Sequence, residues 1–180
     1  MIAPLVLTAC GTDGAASPEL PVTAAEAAAV LRQVAQLAAQ RTTGAATQVC
    51  TWLADSCDGM SSRFRADPGS APETPPSILC DIPLPAIPGQ QGPRVLVITG
   101  KDAQGRDYVG QVLVLRRHGH PVLQEPAFWV AARYTQVRGA QAWEGASDDA
   151  GERAQHDVAV RRACSDPAAF IAAVVRQPTG

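Results

Sequence analysis

RVLVITGKDAQGRDYVGQVLVLRR, residues Arg94 to Arg117, is the stretch that decides the fold. Two runs rich in Val, Leu and Ile stand on either side of KDAQGRD, which is polar and contains Gly105. β-Branched side chains fit a pleated surface, and a polar Gly-containing connection reverses the chain, so the stretch predicts a β-hairpin. HGHP, His118 to Pro121, makes a second turn. VLQEPAFWVAARYTQV after it gives a third strand or pair of strands, with Pro126 marking an edge or a bulge. On the other side, SILCDIPLPAIPGQQGP holds a short apolar core from Ile78 to Ile82. That core predicts one more strand, which Pro83, Pro85 and Pro88 stop. The segment ahead of it, RADPGSAPETPP from Arg65 to Pro76, reads as an irregular loop from its prolines and glycine.

Helices flank this β region. TAAE places Thr23 as an N-cap with Glu26 three residues on, the capping-box arrangement. Val30, Leu31, Val34 and Leu37 then recur at helical spacing, predicting a helix from residue 24 to Gln40 with Gly44 just beyond its end. A second helix is expected near Ala45 to Ala54, with Val49, Trp52 and Leu53 on its buried side. After the polar stretch EGASDDAGER, apolar residues at Val158, Val160, Cys164, Phe170, Ile171 and Val174 predict one or two more helices, broken near Asp166-Pro167. The expected fold is α+β: N-terminal helices on one face of an antiparallel sheet of about four strands, followed by a helical C-terminal segment.

A chain of 180 residues is about one domain on the usual prior, and residues 23–180 are assigned to it. The 46% hydrophobic and 18% charged content fits a folded chain with a core. A net charge of -2 gives no electrostatic footprint for nucleic acid, so no nucleic-acid partner is expected. There are five cysteines: Cys10, Cys50, Cys57, Cys80 and Cys164. An odd count in an exported protein sets one thiol apart. With Cys10 removed, the other four form an even set able to make two disulfides, whose pairing the sequence leaves open. On one straight helix Cys50 and Cys57 would stand about 10 Å apart, too far to bridge, so a bond between them requires the helix to end before Cys57.

The chain opens MIAPLVLTACG, an apolar run from Ile2 to Leu7, the small pair Thr8-Ala9, and then Cys10. LTAC resembles the lipobox of bacterial lipoproteins, in which Leu, two small residues and Cys mark the signal-peptidase site. The resemblance implies cleavage after Ala9 and a thioether-linked diacylglycerol on Cys10. Residues 1–9 then read as the remnant of a truncated signal peptide, because they lack the basic n-region and full-length apolar region of a complete one. Residues 10–22 become the lipidated cysteine and a flexible tether, rich in Gly, Ser, Pro and small residues. Lys101 is the only lysine among 15 basic residues, a compositional bias shared with GC-rich bacterial genomes of the actinobacterial type.

The element order also loosely resembles the cone-shaped nuclear-transport-factor-like (cystatin-like) superfold, over roughly residues 23–135. Together the two resemblances imply a lipid-anchored, extracytoplasmic envelope protein on the outer face of the bacterial cytoplasmic membrane. Its expected role is a non-enzymatic binding or accessory module, its partners the membrane and an envelope protein or small ligand. Two alternatives stand beside this: a small-molecule isomerase or hydrolase housed in the cone, and an assembly subunit of an envelope secretion or transfer complex.

No catalytic motif, metal-ligand spacing or Gly-rich phosphate loop occurs, so no catalytic residue, metal or cofactor is expected. His118 and His120 could share a metal, but Gly119 and Pro121 make RRHGHP a turn without a third ligand beside it, Glu125 being the nearby carboxylate. His156 falls on a polar helix face. Asp102, Asp107 and Tyr108 cluster at the hairpin connection, where in the cone-shaped fold an Asp and a Tyr can be catalytic. Here Asp flanks a Gly-containing turn and is favoured for turn chemistry. Asp148 and Asp149 lack the spacing of a calcium loop. Trp52, Phe128, Trp129 and Tyr134 are expected in the core. Redox catalysis would require a CxxC thiol, which is absent, so the cysteines after Cys10 are expected as structural staples.

Overall fold

The structure is a computed structural model that describes residues 20–53, 71–72, 74–86, 91–101, 103–105, 107–124 and 150–176. Its elements in chain order are helices α1 (Ala24–Ala39) and α2 (Thr43–Val49), a 3-10 turn (Cys50–Trp52), and strands β1 (Ser77–Pro83), β2 (Arg94–Lys101), β3 (Asp107–Arg117) and β4 (His120–Leu123). Helices α3 (Ala150–Ser165) and α4 (Pro167–Arg176) follow. The four strands form one antiparallel sheet in the order β1-β2-β3-β4, so the fold is α+β as expected.

The hairpin is in register from Arg94↔Val114 to Lys101↔Asp107, and its alternation sorts the core into two layers. Leu96 and Ile98 of β2, with Tyr108, Val112 and Val114 of β3, face one way and meet Val30, Leu31, Val34 and Leu37 of α1 and Val49 of α2. Val95, Val97 and Val109 face the other way and meet Val160 and Ala163 of α3 and Phe170 of α4. The two helical pairs therefore cover opposite faces of the sheet. The N-terminal helices lie on one face as expected, and the C-terminal helical segment, whose place the sequence left open, covers the other. The continuous buried run Val95–Ile98 is the physical sign of the second layer, since a strand buried on both faces needs no polar alternation.

The capping box forms as read: Glu26 N–H donates to the Thr23 hydroxyl at 3.2 Å, and the Thr23 N–H donates to the Glu26 carboxylate at 2.8 Å. Helix α1 ends as expected, with Gln40 as its C-cap, but Gly44 has a different place. The chain leaves it through Arg41, at φ 54 in the left-handed region, and Thr42 already caps α2 by accepting from Ala45 N–H at 3.2 Å. Gly44 thus lies inside the first turn of α2. The expected second helix ends early. It tightens into the 3-10 turn after Val49, and Leu53 takes an extended conformation to bridge Leu123. Tertiary pairing with the sheet overrides continued helix there.

At the C-terminus the break falls at Asp166. Its carboxylate accepts from Ala169 N–H at 3.0 Å, and Pro167 takes the first helical position, where its missing N–H costs nothing. Val158, counted from the sequence among the apolar positions of this region, is 68% exposed. Cys80 on β1 and Cys164 on α3 form a disulfide with a Cα–Cα distance of 5.7 Å, fastening the C-terminal helices to an edge strand. Among the described residues no helix is long and apolar enough to cross a membrane.

Candidate functional site

Two features gather polar chemistry, and both lie at the end of the sheet where β3 turns into β4. The first is a pair of arginines that seizes the backbone entering the domain. Arg94 opens β2 and Arg116 nearly closes β3, and the even-numbered parity of β2 and β3 turns both toward the α1 face. Arg94 Nε donates to the Val22 carbonyl at 2.9 Å, and its Nη1 pairs with the Asp81 carboxylate. Arg116 is 8% exposed. Its Nε donates to the Leu20 carbonyl at 2.8 Å, its Nη2 to both Glu26 carboxylate oxygens at 2.8 Å, and its Nη1 to the Gly119 carbonyl at 2.8 Å.

Every arm of this buried guanidinium is thus occupied, which offsets the desolvation that an unpaired buried cation would suffer. The Arg116 hydrogen bonds, and then the Thr23 N–H, pull the Glu26 carboxyl from its ordinary 4.5 down to about 2. The backbone of residues 20–22 is further fixed by Val22 N–H donating to the Gly92 carbonyl at 3.1 Å. Gly92 itself sits at φ +58 with an added Cβ only 2.8 Å from Pro21, so the close approach requires glycine.

The second feature is a groove between the 3-10 turn and the β3–β4 hairpin, with a volume of about 420 Å3. Buried Leu53 and Val122 and half-buried Pro121 make its floor, and half-buried Trp52 and exposed Thr51 one wall. Arg117, His118 and His120, all exposed, make the rim. His118 and Gly119 both have positive φ, 49 and 80, as the tight two-residue hairpin turn requires. That conformation is costly for a non-glycine residue, although histidine tolerates it better than most. The Arg116 bond to the Gly119 carbonyl holds the turn from behind.

The residues singled out in the sequence fall as follows. Cys10, Cys57, Asp102, Glu125, Phe128, Trp129, Tyr134, Asp148 and Asp149 lie outside the described residues. Cys50 is disulfide-bonded, as are Cys80 and Cys164 to each other. His118 and His120 come together on the groove, and among the described residues no cluster of three or more His, Cys, Asp or Glu could hold a metal. His156 lies within α3.

Asp107 and Tyr108 part company. Asp107 is exposed and pairs with Lys101 at 2.7 Å, whereas Tyr108 is 5% exposed inside the α1-side core. The Tyr108 hydroxyl is buried without a hydrogen-bond partner, and burial pushes its ionisation upward. Trp52 packs on the margin of the core and lines the groove as well.

The sequence reading passed over Arg94, Glu26 and Arg116 as one unit, and Arg117 with Trp52 as another. A signal for the first existed: an arginine at the in-facing parity of an otherwise apolar strand needs a buried partner. No family model, curated protein or solved structure matches the chain.

Proposed function

We propose that this chain is a lipid-anchored envelope protein on the outer face of the bacterial cytoplasmic membrane, serving there as a non-enzymatic binding or accessory module. The observation that carries the reading is the Cys80–Cys164 disulfide joining β1 to α3. Structural disulfides persist where the compartment is oxidising, which for a bacterial chain means outside the cytoplasm. Cys50 is disulfide-bonded as well, so every cysteine among the described residues is in a bridge, which supports an oxidising compartment.

The arginine pair supports the same reading mechanically. A domain on a tether is pulled at the point where the tether enters it, and residues 20–22 are gripped there by Arg94, Arg116 and Gly92. Two acyl chains on Cys10, at about 0.8 kcal/mol per buried methylene, would hold such a domain stably on a bilayer. Metabolic labelling with palmitate tests the anchor. The protein should take up label and partition with membranes, and Cys10→Ala should abolish both. Label-free protein, or a Cys10→Ala variant that is equally membrane-bound, contradicts the reading.

A further inference from the structure

We infer that Arg116 couples the backbone entering the domain, residues 20–22, to the His118-Gly119 turn, so that displacing the first loosens the second. This coupling goes beyond the anchor reading and needs no lipid on Cys10. Bonds on both sides of one side chain carry it. Arg116 Nε donates to the Leu20 carbonyl at 2.8 Å and its Nη2 to the Pro21 carbonyl at 3.3 Å, while its Nη1 donates to the Gly119 carbonyl at 2.8 Å. A guanidinium is planar, and its donors are fixed relative to one another. Carbonyls that share it cannot shift far apart without losing a bond.

Residues 20–22 are the part that can move. They lie outside every helix and strand, and Leu20 and Pro21 are exposed. Besides Arg116, they are held by Val22 N–H on the Gly92 carbonyl at 3.1 Å and by Arg94 Nε on the Val22 carbonyl at 2.9 Å. A segment with few backbone bonds and exposed side chains opens at lower cost than the sheet beneath it. Once lifted, it takes two acceptors from Arg116 and admits water to the buried guanidinium. A solvated arginine side chain samples other rotamers, and its hold on Gly119 weakens with them.

The turn is the part that responds. His118 and Gly119 have φ 49 and 80. A non-glycine residue persists in this left-handed region where its surroundings over-determine it, and the bond from Arg116 to Gly119 is one such constraint. With that bond weakened, His118 is free to relax. Glu26 is also bonded to Thr23, so α1 stays capped and the change stays local. His118 and His120 stand on the groove, so the position of residues 20–22 sets the shape of its rim.

Backbone amide relaxation NMR on the oxidised full chain tests this. In the parent, the Val22 and Gly119 N–H groups should both have order parameters of about 0.85. Two variants loosen residues 20–22 without touching the turn: Gly92→Ala by pressing on Pro21, and Pro21→Gly at an exposed position, which keeps the test open if the first does not fold. Each should bring Val22 and Gly119 together below about 0.6, with Val97 and Val112 in the sheet still at about 0.85. Arg116→Lys keeps a cation beside Glu26 but lacks the fork, so Gly119 should fall below about 0.6 there too, and adding Pro21→Gly should lower it no further.

A rigid Gly119 beside a loosened Val22 would overturn the inference. So would a Val22 that stays rigid in both variants, a Gly119 already mobile in the parent, or a Gly119 that stays rigid in Arg116→Lys.

Discussion

Arg116 carries more of this structure than any other single polar side chain described, and its energetics follow from its surroundings. Replacing it with Leu would remove the guanidinium that the Glu26 carboxylate and the carbonyls of Leu20 and Gly119 share, leaving Glu26 only its bonds from Thr23. Hydrogen bonds to charged groups contribute about 1.5–3 kcal/mol and these partners can turn to water, so Arg116→Leu should destabilise the domain by about 1–3 kcal/mol in urea unfolding. The pH dependence has a definite sign. Glu26 titrates near 2 in the folded chain against an ordinary 4.5, so its contribution is present above about pH 4.5 and is lost as pH falls toward about 2. Glu26→Gln should therefore unfold earlier than the parent near neutral pH, and the two should converge in acid; a gap that persists at about pH 2 would contradict this. Tyr108 gives the opposite expectation. Its hydroxyl is buried without a partner, so Tyr108→Phe should leave stability unchanged or raise it by up to about 1 kcal/mol in the same assay.

At the scale of elements, what the sequence revealed depended on whether local chemistry or tertiary pairing ruled. The α1 start was legible because Thr23 and Glu26 satisfy each other within one turn. The α3–α4 break was legible for the same reason, Asp166 and Pro167 being a local cap and first residue. The end of α2 was hidden, because Leu53 leaves the helix to bridge Leu123 and nothing nearby in sequence announces that partner. Likewise Arg41 closes α1 in a left-handed conformation that glycine usually provides, which misdirects a reading based on Gly44. The groove was half legible: RRHGHP marked the turn, but its Trp52 wall comes from a distant element. Gly92 supplies a prediction at this scale. Its positive φ and the 2.8 Å approach of an added Cβ to Pro21 mean that Gly92→Ala strains the backbone and loosens residues 20–22 together. A loss of about 1–3 kcal/mol is expected, with faster hydrogen exchange at Val22 N–H than elsewhere in the core.

At the scale of the molecule, one sheet carries a helical pair on each face, and the two layers are held by different means. The α1–α2 layer is bound through the larger of the two apolar clusters among the described residues and through the arginine pair. The α3–α4 layer rests on a smaller cluster and on the bond from Cys80 to Cys164, which are 84 residues apart. A crosslink closing so long a loop is worth about 4–5 kcal/mol in the chain-entropy view and about 2–5 kcal/mol in practice. The double variant Cys80→Ser, Cys164→Ser should therefore lose about 2–5 kcal/mol, with the α3–α4 layer exchanging amide protons first. Structural disulfides of this kind persist in oxidising compartments, which is consistent with the proposed tethering outside the membrane. The central claim is that Cys10 is the anchor and the cysteines behind it are staples. Mass spectrometry of the peptide containing Cys10, from protein isolated in its native envelope, addresses it most directly. The account predicts a mature chain starting at Cys10 and bearing a diacylglyceryl thioether; an unmodified internal Cys10, with Ala9 still attached, would contradict it.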